Sequence, residues 1–127
     1  MTSKTRFFVS LAVALCAAGS AVAENRLDVD MGRFPKGTAC AVSGTSGKVS
    51  MRETRKEIKF KIRGDTAKVV VDCTLPDGQQ VFVDTSPFVR KDTSMTSLQL
   101  NSDNTGAVLW DKGGIKIQNI DGFLRKR

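Results

Sequence analysis

Glu57-Ile58-Lys59-Phe60-Lys61-Ile62-Arg63 alternates apolar and charged residues without a break. A period of two places Ile58, Phe60 and Ile62 on one side of an extended chain and Lys59, Lys61 and Arg63 on the other. That is the pattern of a strand with one face buried and one in water, whereas a helix would scatter the same residues around its circumference. Toward the C-terminus, Val69, Val71 and Cys73 repeat the alternation after Arg63-Gly64-Asp65-Thr66, and the two runs are expected to form a hairpin across that turn. Pro76-Asp77-Gly78 is a turn in which proline presets one φ and glycine accepts a positive one, and a strand follows at 80–84. Further strands are expected at 96–100, 106–110 and 115–120, separated by Asn101-Ser102-Asp103-Asn104 and by Asp111-Lys112-Gly113-Gly114. Toward the N-terminus, Val49 and Met51 alternate with polar neighbours in 48–52. About seven short strands, closely spaced turns and no helical period predict an all-β fold, a small antiparallel β-sandwich or β-barrel.

The beginning of the chain follows a different rule. Lys4 and Arg6 precede a run at 7–15 that is apolar except for Ser10, and Ala21-Val22-Ala23 has the small-x-small form that signal peptidase accepts. Residues 1–23 therefore read as a cleavable secretory signal peptide. The run is about half the ~20 residues a helix needs to cross a bilayer, and no second one follows, so no transmembrane segment is expected after signal removal. Cys16 follows Leu15 where lipid attachment wants a small residue, and it is expected to leave with the signal. The short, Ala-rich form points to a bacterial periplasm, with secretion to the outside as the alternative.

Of the three cysteines, Cys40 and Cys73 then remain, an even pair in an oxidising compartment, and a structural disulfide is expected between them. A redox role would favour a C-x-x-C spacing with an activating neighbour, and zinc would require histidine or paired cysteines; the chain has no histidine. Residues 24–37 mix Asp28, Asp30, Arg33, Pro35 and Lys36 without clear period and read as a flexible lead-in. A single domain is expected at 38–124, followed by a frayed basic tail, Arg125-Lys126-Arg127.

Charge carries the functional reading. The formal net charge is +7, and the chain stays basic without Lys4 and Arg6, which favours anionic partners. If 48–52 pairs with 57–63 across Glu53-Thr54-Arg55-Lys56, then Lys48, Arg52, Lys59, Lys61 and Arg63 share one solvent face. Such a strip suits an anionic lipid, a sulfated glycan or an acidic protein; the plainer account is that it keeps an exposed sheet soluble and unpaired. The aromatic residues that interleave with cations in a nucleic-acid platform are missing there, so no specific nucleic-acid signature is present.

Other motifs resolve into backbone chemistry. Arg63-Gly64-Asp65 spells an adhesion tripeptide, but glycine and aspartate at a turn are explained by geometry. Asn101 to Gly106 resembles the opening of a calcium loop, but its twelfth position is Lys112 where a bidentate glutamate is required. Trp110-Asp111-Lys112-Gly113-Gly114 sets the only tryptophan beside a tight turn, where Trp110 and Lys112 could anchor a partner, although a core tryptophan ending a strand is the commoner arrangement. In a small exported β protein this Trp-x-Lys-Gly segment resembles the periplasmic inhibitors of C-type lysozyme over those few residues. The Ser-Gly-x-Ala-x-Tyr-like segment ahead of it is not present, and the chain has no tyrosine. The resemblance implies an inhibitor or interaction module acting through loops near Trp110.

Without histidine neither a Ser-His-Asp nor a Cys-His arrangement can be built; a lysine-activated serine or a carboxylate pair is open in principle, but no spacing brings two carboxylates together predictably. The expectation is a non-enzymatic binding domain without cofactor or metal, engaging an anionic ligand or acidic partner through its basic strand face.

Overall fold

A computed structural model describes residues 25–127, and the expected signal peptide lies outside them. Ten strands follow one another: β1 Arg26–Gly32, β2 Ala39–Ser43, β3 Lys48–Glu53, β4 Glu57–Arg63, β5 Val70–Thr74, β6 Gln80–Asp84, β7 Met95–Asn101, β8 Thr105–Trp110, β9 Lys116–Asp121 and β10 Leu124–Lys126. A 3-10 turn at Ser86–Phe88 bridges β6 and β7. The strands form a six-stranded sheet in the order β3-β4-β1-β7-β8-β9 and a four-stranded sheet in the order β10-β6-β5-β2. Neither sheet closes on itself, so the architecture is sandwich-like. All pairings are antiparallel except β1 with β7, which is parallel.

The core forms where the inward rows of the two sheets meet. Ile58, Phe60 and Ile62 of β4 lie beside Leu27, Val29 and Met31 of β1 and Leu98 and Leu100 of β7, facing Val71, Cys73, Val81 and Val83 of the smaller sheet. Each row obeys the period of two, so the register fixes which side chains of these strands are buried.

Residues 24–37 are thus not a lead-in. Within them β1 is a central strand, bonded to β4 on one side and β7 on the other, and Leu27, Val29 and Met31 are at most 1% exposed. Nor is the terminus a frayed tail: β10 pairs with β6, and the Arg127 guanidinium bonds to Asp72 (2.6 and 2.8 Å) over the Phe82 ring. The strand count rises from seven to ten through β1, β2 and β10.

The hairpin expected between β4 and β5 does not form. These strands lie in different sheets, and the chain crosses between them at Gly64. Gly64 takes φ 99°, which glycine adopts without steric cost, and its N–H bonds to the Asn25 carbonyl at 2.8 Å. The Asp65 carboxylate then accepts the Ser46 N–H (3.0 Å) and hydroxyl (3.1 Å). These bonds, the backbone N–H first, hold Asp65 below the usual carboxylate range. The acid of the Arg-Gly-Asp sequence is therefore used to fix the corner.

Cys40 and Cys73 are bonded as expected. They stand directly opposite each other in the β2–β5 ladder, so the bridge ties an edge strand to its only neighbour.

Candidate functional site

The β3–β4 ladder sets Lys48 opposite Arg63, Ser50 opposite Lys61 and Arg52 opposite Lys59. Opposed residues of an antiparallel pair project to the same side. Because Ile58, Phe60 and Ile62 point into the core, all five expected cations, Lys48, Arg52, Lys59, Lys61 and Arg63, project from the outer face. Same-face neighbours along a strand are about 7 Å apart, so the strip is roughly 13 Å long and two strands wide.

On the other flank of β4, β1 continues this face with charges of mixed sign. Arg26 lies opposite Arg63, Asp28 opposite Lys61 and Asp30 opposite Lys59. Arg26 is turned onto Asp28 by two hydrogen bonds (3.2 and 3.0 Å), and the Lys59 ammonium reaches Glu57 at 3.2 Å. Among the described residues, Lys48, Arg52, Lys61 and Arg63 have no carboxylate within 4 Å. Positive charge is consequently concentrated on β3 and the adjoining edge of β4, and it weakens toward β1. The acidic half of this face was missed in the sequence, although Leu27, Val29 and Met31 alternate with Arg26, Asp28 and Asp30 as strictly as the β4 residues do.

Asp30 is the strained member. Its carboxyl is pushed up to about 6, first by burial, then by its hydrogen bond to Glu57 and repulsion from it, with Lys59 pulling the other way. One carboxyl oxygen, Oδ1, is buried without a hydrogen-bond partner. Glu57 moves down, held by Asp30 and Lys59, so a shared proton resides on Asp30. Because the folded value lies above the ordinary 3.8, protonation favours the folded state. This contribution is complete below 3.8 and is lost as pH rises through about 6. The full displacement corresponds to about 3 kcal/mol, which solvent screening at a half-buried site reduces to about 1 kcal/mol. Asp30→Asn is expected to raise Tm at pH 7 by several degrees and to flatten the dependence of Tm on pH between 4 and 6, as read by calorimetry. An unchanged pH profile would rule out this titration.

Two shallow depressions of about 450 and 210 Å³ mark the strip, the first lined by Lys48, Lys61 and Arg63, the second by Arg52, Lys59 and Lys61. At the end of β3 a larger cleft of about 660 Å³ opens between the 33–38 loop and the β3–β4 turn. Met31, Phe34 and Ile58 contribute apolar surface to it, and Lys36, Arg55 and Lys56 add further cations.

The second expected site is built differently. Trp110 is buried, with its indole N–H donated to the Phe88 carbonyl at 2.7 Å and the Arg90 guanidinium 3.9 Å above its ring. It is a core residue closing one end of the sandwich, not an exposed anchor. Lys112 is half exposed and paired with Asp92 at 2.5 Å. Asp111, between them, accepts bonds from Ser94 and Met95 and fixes the start of β7. Asp103 likewise caps its own turn through the Thr105 N–H and hydroxyl. Both are pulled below the ordinary carboxylate range, chiefly by the Ser94 and Thr105 hydroxyls respectively. Compared with protein-family models, with curated proteins and with solved structures, the chain matches none.

Proposed function

We propose that this domain is a non-enzymatic binding module, exported to a bacterial periplasm or beyond, that holds an anionic ligand on the outer face of β3 and β4. The carrying observation is the register: three cross-strand rungs place Lys48 with Arg63, Ser50 with Lys61 and Arg52 with Lys59. Like charges directly opposite each other are destabilising, so two such rungs oppose folding and are relieved when an anion lies across them. Charges of mixed sign would serve solubility without that cost, as they do on the neighbouring β1. The signal-like residues 1–23 are what supports the proposed compartment.

Binding of a sulfated polysaccharide tests the reading. Affinity is expected to fall steeply with added salt, and the triple reversal Lys48→Glu, Lys61→Glu, Arg63→Glu to weaken it by roughly 100-fold at 0.1 M salt while reducing the salt slope. All three positions face solvent, so Tm should stay within a few degrees. Equal affinity of the reversed and original proteins would sink the assignment.

A further inference from the structure

β3 is the outermost strand of its sheet, and all six of its residues are exposed. Its two faces differ in kind. Lys48, Ser50 and Arg52 belong to the outer, basic face, whereas Val49 and Met51 stand opposite Ile62 and Phe60 on the inner face. Unlike those partners, Val49 is 44% and Met51 56% exposed, because the inner row continues past the point where other residues cover it.

The backbone of β3 is also half used. Thr54 N–H bonds to the Glu57 carbonyl at 2.9 Å, and an antiparallel ladder alternates bonded and non-bonded rungs. The β3–β4 bonds therefore fall on the Lys48, Ser50 and Arg52 rungs, leaving the N–H and C=O groups of Val49 and Met51 directed at the free edge. An edge strand with unused donors and acceptors and an uncovered apolar row is a template for another strand.

The molecule already contains the kind of strand that fits. β1 pairs with β4 by setting Asp28 and Asp30 against Lys61 and Lys59 on the outer face while Val29 and Met31 meet Phe60 and Ile58 inside. β3 repeats the basic and apolar alternation of β4 with its far edge open. A second copy's β3 does not suit it, since pairing two such edges would set lysine and arginine rows side by side. We propose that β3 takes up an extended segment of a partner protein in which acidic residues alternate with β-branched or other apolar ones. The acids would lie against Lys48 and Arg52, and the apolar side chains would cover Val49 and Met51. This rests on the anion-binding reading of the same face and adds backbone pairing and sidedness to it.

The experiment uses the chain without its first 23 residues, in oxidised form. The probes are a capped Leu-Asp-Val-Thr-Val-Asp-Leu peptide, a peptide of the same composition with acids and apolar residues in separate blocks, and a sulfated polysaccharide. Met51→Pro removes an edge-directed N–H without touching the β4 ladder, and Met51→Thr is its control. The alternating peptide is expected to bind at least tenfold better than the block peptide, to lose at least tenfold in Met51→Pro and to lose less than threefold in Met51→Thr, with polysaccharide binding equal in all three proteins. In the unsubstituted protein, hydrogen exchange at the Val49 and Met51 amides should slow at least tenfold with the peptide, a readout that holds even if Met51→Pro folds poorly. Equal binding of both peptides, with no new protection at Val49 and Met51, would overturn strand addition and leave the anion-binding face standing. Binding of neither peptide nor polysaccharide would overturn both.

Discussion

A Val29→Asp chain is expected to be unfolded at 25 °C and pH 7. Val29 is 1% exposed and sits between Phe60 of β4 and Leu98 of β7 in the middle of the six-stranded sheet. A carboxylate there has no cation on the inner face to meet it. A buried, uncompensated charge costs about 3–5 kcal/mol or more even after relaxation, and the lost valine packing adds about 1–2 kcal/mol. A domain of this size is stable by only about 5–15 kcal/mol. Trp110 supplies the measurement, since the chain has one tryptophan and it is buried in the native fold: its emission should shift to the red and its near-UV dichroism should vanish. Leu27→Ala, which leaves a void without a charge, should cost about 2–5 kcal/mol and remain measurable by urea titration. Were residues 24–37 a loose lead-in, both changes would fall within about 0.5 kcal/mol of the original, so a native-like midpoint for either would remove β1 from the core.

The reason β1 escapes a reading of the sequence is physical. Its apolar residues alternate strictly, but two aspartates occupy its outward positions, and aspartate is disfavoured in strands. Asp28 is met by Arg26 two residues away, whereas Asp30 is set between Glu57 and Lys59, about thirty positions further on and brought alongside by the register. The local sequence contains the period and the partner of Asp28, but not the β4 and β7 rows that make β1 a central strand. β10 is similar: Arg125-Lys126-Arg127 has the composition of a solvated tail, and the Phe82 ring, the Asp72 carboxylate and the Gln80 carbonyl, on strands 45 or more residues earlier, give Arg127 a place. β4 and β6 carry their whole signal locally, and their observed limits agree with the sequence reading to the residue.

Sheet membership is not a local property either. Val69 to Cys73 alternates just as a hairpin partner of β4 would, yet its partners are β2 and β6. The crossing is decided by bonds made at Gly64 and Asp65 to Asn25 and Ser46, on other segments. The same division runs through the candidate site. That Lys48, Arg52, Lys59, Lys61 and Arg63 share a face follows from one turn and a period of two. That β1 balances the inner half of the face with Asp28 and Asp30, leaving β3 the more cationic, depends on the strand order. For Trp110 the turn and a core place at the end of a strand were both legible; its enclosure was not, because the Phe88 carbonyl and Arg90 come from the connection between β6 and β7.

Opening the Cys40–Cys73 bridge is expected to lower stability by about 3–4 kcal/mol, the loop-closure entropy returned to the unfolded chain for a separation of 33 residues. At about 4–8 °C per kcal/mol for a domain of this size, Tm should fall by roughly 15–25 °C. The position of the bridge argues that the native fold would survive the change. Cys40 and Cys73 are already opposed in the β2–β5 ladder, and the next rung on the same face brings Val42 against Val71 at the core, so register is specified without the covalent bond. Reduction is the cleaner comparison, because Cys40→Ala with Cys73→Ala also leaves a small void beside the 3%-exposed Cys73. An effect acting through the unfolded state predicts a larger urea m-value for the reduced protein, whose denatured chain exposes more surface, and unchanged amide protection in β5. Loss of protection confined to β2 would instead mean that this edge strand detaches locally, with the bridge serving as its main attachment. A fall in stability below about 1 kcal/mol would refute the entropic account, since a 33-residue loop cannot be closed that cheaply unless its ends already meet in the unfolded chain.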